Sequence, residues 1–125
     1  MQEISPEDLG KNIIECIQEK KGHEIVHLDL IKTGNSVCDY FIITHADSGV
    51  QAKAIAHNIE DSLKKDYGVR ALHSEGYDNA QWILLDYITI VVHIFQREIR
   101  EYYKIEELWE DAELTRIKEE GTKEY

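Results

Sequence analysis

Basic residues are the scarce class in this chain. Fourteen lysines and arginines stand against 25 acids, giving a formal net charge of −11 over 125 residues. Nucleic-acid modules draw most of their affinity from a basic stripe that neutralises phosphates. Lys20-Lys21 and Lys64-Lys65 are too short to make one, so direct nucleic-acid readout is not expected. A basic protein partner suits the charge, because opposite fields steer encounter. Solubility is the plainer use of the same charge. Long apolar runs are missing too: no stretch reaches the roughly 18 residues that span a bilayer, and no membrane partner is expected. Met1 to Asp8 has neither the basic start nor the apolar core of a leader. The chain is therefore expected to stay in the cytoplasm. Cysteine occurs only at Cys16 and Cys38, without C-x-x-C spacing, which reads as two free thiols.

Catalytic signatures are equally sparse. There is no G-x-S-x-G elbow, no P-loop and no G-x-G-x-x-G, so the common nucleophile and nucleotide motifs are absent. Six histidines raise the question of a metal, but a zinc site needs three or four convergent ligands. His23 and His27 flank the start of a predicted strand, and His45, His57, His73 and His93 show no ligand spacing. No metal and no cofactor are expected. Asp29 and Asp39, on neighbouring predicted strands, could pair as the carboxylates of a phosphoryl-transfer site do.

What is present is a clear pattern of elements. Ser5-Pro6-Glu7-Asp8 reads as a capped helix start, and Leu9, Ile13, Cys16 and Ile17 form its apolar face up to a stop at Gly22. Glu24–Leu30 and Asp39–Thr44 read as an antiparallel strand pair around a turn at Thr33-Gly34-Asn35-Ser36. Ser48 caps a second helix with a stripe of Ala52, Ile55, Ala56, Ile59 and Leu63, ended by Gly68. Val69–His73 reads as a third strand reached by a parallel crossover. The longest apolar stretch, Gln81–Phe95, is rich in β-branched and aromatic residues and folds back at Asp86-Tyr87-Ile88-Thr89 as a hairpin. Ile83, Leu85, Ile90, Val92 and Ile94 give one apolar face. Trp82, Leu84, Asp86, Val91, His93 and Phe95 give the other, where large rings mix with an acid and an imidazole as on a partner-facing surface. Two short helical turns follow, carrying Ile99, Tyr102 and Tyr103, then Leu108 and Trp109. From Glu113 charge dominates, and residues 113–125 read as a helical or disordered extension to a single domain over 1–112. By residue type, Trp82, Tyr87 and Trp109 are the interaction candidates.

Asp39-Tyr40-Phe41, Ala54-Ile55-Ala56, Glu75-Gly76, Trp82–Tyr87, Val91–Phe95, Arg100, Tyr103 and Leu108-Trp109 occur in that order. In this the chain resembles the ribosomal silencing factor (RsfS, or Iojap) family over nearly its whole length. The resemblance implies a single α/β domain with a mixed sheet of about five strands flanked by helices. It implies a nucleotidyltransferase-like fold without the activity. Gly34-Asn35-Ser36 faintly matches the glycine–serine turn of such enzymes, yet no D-x-D follows. It also implies binding to the large ribosomal subunit through universal ribosomal protein fourteen. Joining of the small subunit is thereby blocked, translation falls when nutrients are scarce, and immature large subunits are kept from engaging early. The family's recognition surface maps to Trp82, Leu84, Asp86 and Tyr87, with His93 nearby. Many members crystallise as homodimers. The alternatives are a divergent nucleotidyltransferase and a homodimeric module without ribosome binding. Ile88-Thr89 stands where the family has Gly-Asp, and His45-Ala46-Asp47-Ser48 replaces a glycine-containing segment. A β-branched residue resists positive φ, so a different or longer turn is expected at Ile88.

Overall fold

The computed structural model describes residues 4–34 and 38–118. Asn35 and Ser36 of the expected turn, and 119–125 of the expected extension, lie outside them. Helix α1 spans Pro6–Glu19, and the Ser5 hydroxyl accepts the Asp8 N–H at 3.1 Å. Its stop differs from the expected one. Lys21 takes the left-handed position, with φ of 63°. Gly22 is needed for space instead: a Cβ there would lie 2.4 Å from Ile17 Cγ2 and 2.8 Å from Thr44 Oγ1.

Strands β1 (His23–Asp29) and β2 (Tyr40–Ala46) pair antiparallel, as expected. Helix α2 (Gly49–Tyr67) starts at Ser48, whose hydroxyl accepts the Gln51 N–H, and all five residues of its predicted stripe are buried. The third strand is later and shorter than read: β3 is His73–Glu75, fully exposed. Val69 and Ala71, whose apolar character suggested a strand, pack against the helix-side core instead. β4 (Trp82–Asp86) and β5 (Ile90–Gln96) form the hairpin. α3 (Arg97–Tyr103) and α4 (Ile105–Leu108) follow, and then β6 (Glu113–Arg116). The expectation of a helical or disordered segment from Glu113 is thus overturned for Glu113–Arg116. This segment pairs antiparallel with β1 and extends the sheet to six strands, ordered β3-β4-β5-β2-β1-β6. β2 and β5 are parallel neighbours. β3 points the same way as β2, but β4 and β5 lie between them, so the crossover does not end beside its starting strand.

The sheet buries two cores. On one face α1 and α2 cover Ile25, Ile42, Ile83, Leu85, Ile90, Val92 and Ile94. On the other, Ile99, Ile105, Trp109 and Ala112 cover Val26, Leu28, Phe41, Ile43 and Phe95, while Trp82 and Leu84 stay only partly buried. The alternation read along the hairpin therefore holds strand by strand.

The hairpin turn departs from expectation. Ile88 adopts the positive φ that a branched side chain resists, at 76°. Thr89 N–H donates to Tyr87 O at 2.9 Å and Ile88 N–H to Asp86 Oδ1 at 2.8 Å. These bonds impose a γ-turn centred on Ile88, a strained conformation for this residue. Ile88 is 65% exposed, so its side chain returns little burial energy. Ile88→Gly is expected to raise stability by about 1 kcal/mol, relieved strain outweighing the freer unfolded chain. A urea midpoint that does not rise would contradict the strained turn.

Candidate functional site

The uncovered part of the second face is a cleft of about 460 Å³ lined by Glu75, Gly76, Asn79, Gln81, Trp82, Leu84, Ile99 and Tyr103. Three elements supply it. β4 projects Trp82 and Leu84 by alternation, opposite Phe95 and His93 of β5. α3 brings Ile99 and Tyr103, four residues apart and so on one helix face. The loop after β3 closes the end. Gly76 carries φ of 92°, and a Cβ on it would fall 1.9 Å from Trp82 O, so only glycine lets this loop lie against β4.

Aromatic contacts hold the floor in place. Trp82 packs on Phe95 at 4.8 Å, Tyr103 at 5.1 Å and His93 at 5.9 Å between ring centroids. His93 meets Phe41 edge-on at 4.6 Å, and Phe41 meets Trp109 at 5.6 Å. Trp82 Nε1–H donates to His93 Nδ1 at 3.0 Å. Indole only donates, so Nδ1 must be the acceptor and the ring proton sits on Nε2. Burial alone pushes the His93 pKa down to about 4, which keeps the ring neutral and the bond intact. α3 is fixed by Arg100, which is buried, donates to Glu106 Oε2 at 2.9 Å and to His45 Nδ1 at 2.9 Å.

The structure brings together some of the residues named from sequence and separates others. Trp82 and Leu84 line the cleft. Asp86 shares their face, but its Oδ1 is used by the Ile88 N–H. His93 is 5% exposed and supports Trp82 from beneath. Tyr87 lies on the opposite face, 5% exposed in the core under α1 and α2, and cannot touch a partner where it stands. Trp109 packs over Phe41 in the second core. Asp29 Oδ1 accepts the Ile31 N–H, a local turn contact. Among the described residues no group of three or more His, Cys, Asp or Glu converges as a metal site. Gly76, Gln81, Ile99 and Tyr103 were not picked out as site residues. Gly76 and Tyr103 stand in the motifs that carry the family resemblance, and the i, i+4 spacing of Ile99 and Tyr103 is a second signal.

Aromatic side chains half-buried at the edge of a rigid sheet are what protein interfaces use as anchors. The fold is that of a single α/β domain with a mixed six-stranded sheet, and the cleft leaves Trp82 and Leu84 only partly buried. A family profile described as "Ribosomal silencing factor during starvation" matches residues 3–125. A protein named Ribosomal silencing factor RsfS from Bacillus subtilis is 40% identical over 96 residues, covering 77% of this chain and 80% of that protein. One of the same name from Halalkalibacterium halodurans is 34% identical over 109 residues, covering 87% and 92%. A crystal structure of a Chromobacterium violaceum protein superposes with a TM-score of 0.81 at 31% identity, covering 94% of this chain and 98% of the other. More distantly, a Mus musculus protein named Mitochondrial assembly of ribosomal large subunit protein 1 is 32% identical over 73 residues, covering 57% of this chain and 32% of that protein. The chain belongs to the ribosomal silencing factor RsfS (Iojap) family. Its relatives are named as silencing factors, which are regulators and not enzymes. No helix among the described residues is long and apolar enough to cross a membrane.

Proposed function

We propose that the chain represses translation by docking on the large ribosomal subunit in the cytoplasm and sterically blocking the small subunit. The partner in this reading is universal ribosomal protein fourteen. The observation that carries it is the half-buried Trp82 at the centre of an uncovered aromatic cleft. Two further facts support it. A net charge of −11 favours a basic protein over rRNA phosphate. The mouse relative's name refers to assembly of the large subunit, in line with a second role in subunit maturation. The recognition surface in this reading is Trp82 and Leu84 with Ile99 and Tyr103. His93 holds Trp82, and Asp86 holds the turn. A homodimer, in this reading, is either compatible with the docked form or exchanges for it on the ribosome. Light scattering over a dilution series, with and without the ribosomal protein, separates the two.

Trp82→Ala is expected to weaken binding to isolated large subunits by about 1–3 kcal/mol, roughly 5- to 150-fold. Tyr103→Ala should act in the same direction, with little change in fold because Tyr103 is 49% exposed. Tyr87→Ala is expected to lower stability instead, by creating a cavity on the helix side. Affinity measured on folded protein, with stability measured in parallel, separates the two classes. Unchanged affinity in a folded Trp82→Ala, Tyr103→Ala double variant would remove the cleft from the interface.

A further inference from the structure

The parallel strands β2 and β5 lie side by side, yet the helices that follow them leave on opposite faces, α2 to one and α3 to the other. Such divergence opens a crevice beyond the carboxyl ends of the strands, where open α/β sheets hold small ligands. Here the strands end at His45-Ala46 and Gln96. A cleft of about 300 Å³ lies beside them. Three of the chain's four arginines line it: Arg97, Arg100 and Arg116, joined by Lys104. Four acids line the same cleft, Glu24, Glu101, Glu106 and Glu107, so its formal charges balance in a chain whose net charge is −11. Arg97 and Arg100 are engaged with Asp47 and Glu106. Arg116 and Lys104 have no side-chain hydrogen bond or ion pair among the described residues.

The second, independent observation is His45. It is 2% exposed, and its Nδ1 faces Arg100 Nη1 at 2.9 Å. Guanidinium only donates, so Nδ1 accepts and the proton is on Nε2. That Nε2–H is buried at the cleft wall and has no acceptor among the described residues. A buried donor without a partner costs stability unless something supplies the acceptor. The nearest acid, Glu24, stands 3.9 Å away with its side chain largely exposed, outside hydrogen-bonding range.

We propose that this crevice binds the phosphate group of a small molecule. The His45 Nε2–H and the Arg100 guanidinium form the fixed wall, and Arg116 and Lys104 close over the anion. Of the four acids, Glu106 is neutralised by Arg100, and Glu24 holds the mouth as a weakly seated counter-charge that a phosphate displaces. Phosphate fits better than a carboxylate because it offers more acceptor oxygens and a second negative charge to the converging donors.

The test is a titration of the full chain at constant ionic strength, following the His45 imidazole and Arg100 guanidinium nitrogens by NMR. Inorganic phosphate, adenosine monophosphate and acetate are the three probes. Phosphate is expected to shift both signals saturably with a Kd on the order of 1 mM. Adenosine monophosphate binding more tightly than phosphate assigns a nucleotide as the source, and equal binding assigns free phosphate. Glu24→Gln should tighten phosphate binding. The Arg116→Ala, Lys104→Ala double variant, altered at solvent-facing side chains, should weaken it roughly fivefold or more. The proposal is overturned by no saturable shift at about ten times that concentration. It is also overturned by acetate shifting the same signals equally, or by unchanged affinity in the double variant.

Discussion

Replacing Gly76 with alanine is expected to cost about 3 kcal/mol of stability and to displace Trp82 from its cleft. Two costs fall on one atom. Gly76 has φ of 92°, a region that side chains disfavour. The added Cβ would also lie 1.9 Å from Trp82 O, 2.9 Å from its carbonyl carbon and 3.1 Å from Ile83 Cα. All three are backbone atoms of β4, so no side-chain rotation relieves the contact. Either the loop lifts away or the start of β4 leaves its place opposite Phe95. Gly34 supplies the comparison, since it has φ of 73° but nothing within 4 Å of the place a Cβ would take. Gly34→Ala should cost only about 1 kcal/mol, the conformational part alone. Urea unfolding followed by tryptophan fluorescence checks both. Equal losses at the two positions would show that the contact with β4 is not what fixes Gly76.

Acid is expected to destabilise the protein before most carboxylates titrate. His45 and His93 are both buried, and each accepts at Nδ1 from a group that can only donate, Arg100 and Trp82. Both therefore stay neutral. Burial, with Arg100 and Arg97 beside His45, pushes that pKa to about 4, and burial takes His93 to about 4 as well. In the unfolded chain a histidine titrates near 6.5. Above that pH neither state binds the proton, and the contribution to stability is fully present. As pH falls from about 6.5 towards 4 the unfolded chain takes up protons the folded chain refuses, so stability drops; below 4 the loss levels off. Each histidine accounts for about 2 kcal/mol by pH 5, and the pair for about 4. His27, also lowered by burial, adds in the same direction. Asp47, held low by Arg97 and His23, loses its contribution only as pH falls below the ordinary carboxylate range. Unfolding curves at pH 7 and pH 5 therefore isolate the histidines. Equal stability at the two values would contradict the neutral, buried assignments.

The hairpin was the most legible part of the sequence because its two faces differ in residue type at every second position. Ile83 and Leu85 face the helices, while Trp82 and Leu84 face the cleft. The same parity assigns Tyr87 to the helix side, two residues on from Leu85. Its phenol suggested a surface contact, and alternation was the better guide. β6 and β3 were opaque for a different reason. Glu113-Leu114-Thr115-Arg116 and His73-Ser74-Glu75 are exposed throughout. As edge strands they are held by backbone pairing, which leaves no apolar period to read. The turn at Ile88 shows a neighbour overriding a local preference: the Asp86 carboxylate and the Tyr87 carbonyl hold an isoleucine where glycine would sit without strain. The cleft was legible where β4 supplies it. Where α3 and the Gly76 loop supply it, the sequence shows the pieces but not that they meet.

The central claim is that the Trp82 cleft seats the protein on the large subunit. Co-sedimentation with isolated large subunits, for the natural chain and for folded Trp82→Ala side by side, tests it most directly. The natural chain should pellet with the subunits and prevent addition of small subunits, and Trp82→Ala should lose at least about fivefold in affinity. A natural chain that stays in the supernatant, or a Trp82→Ala variant that pellets and blocks joining equally well, would contradict it.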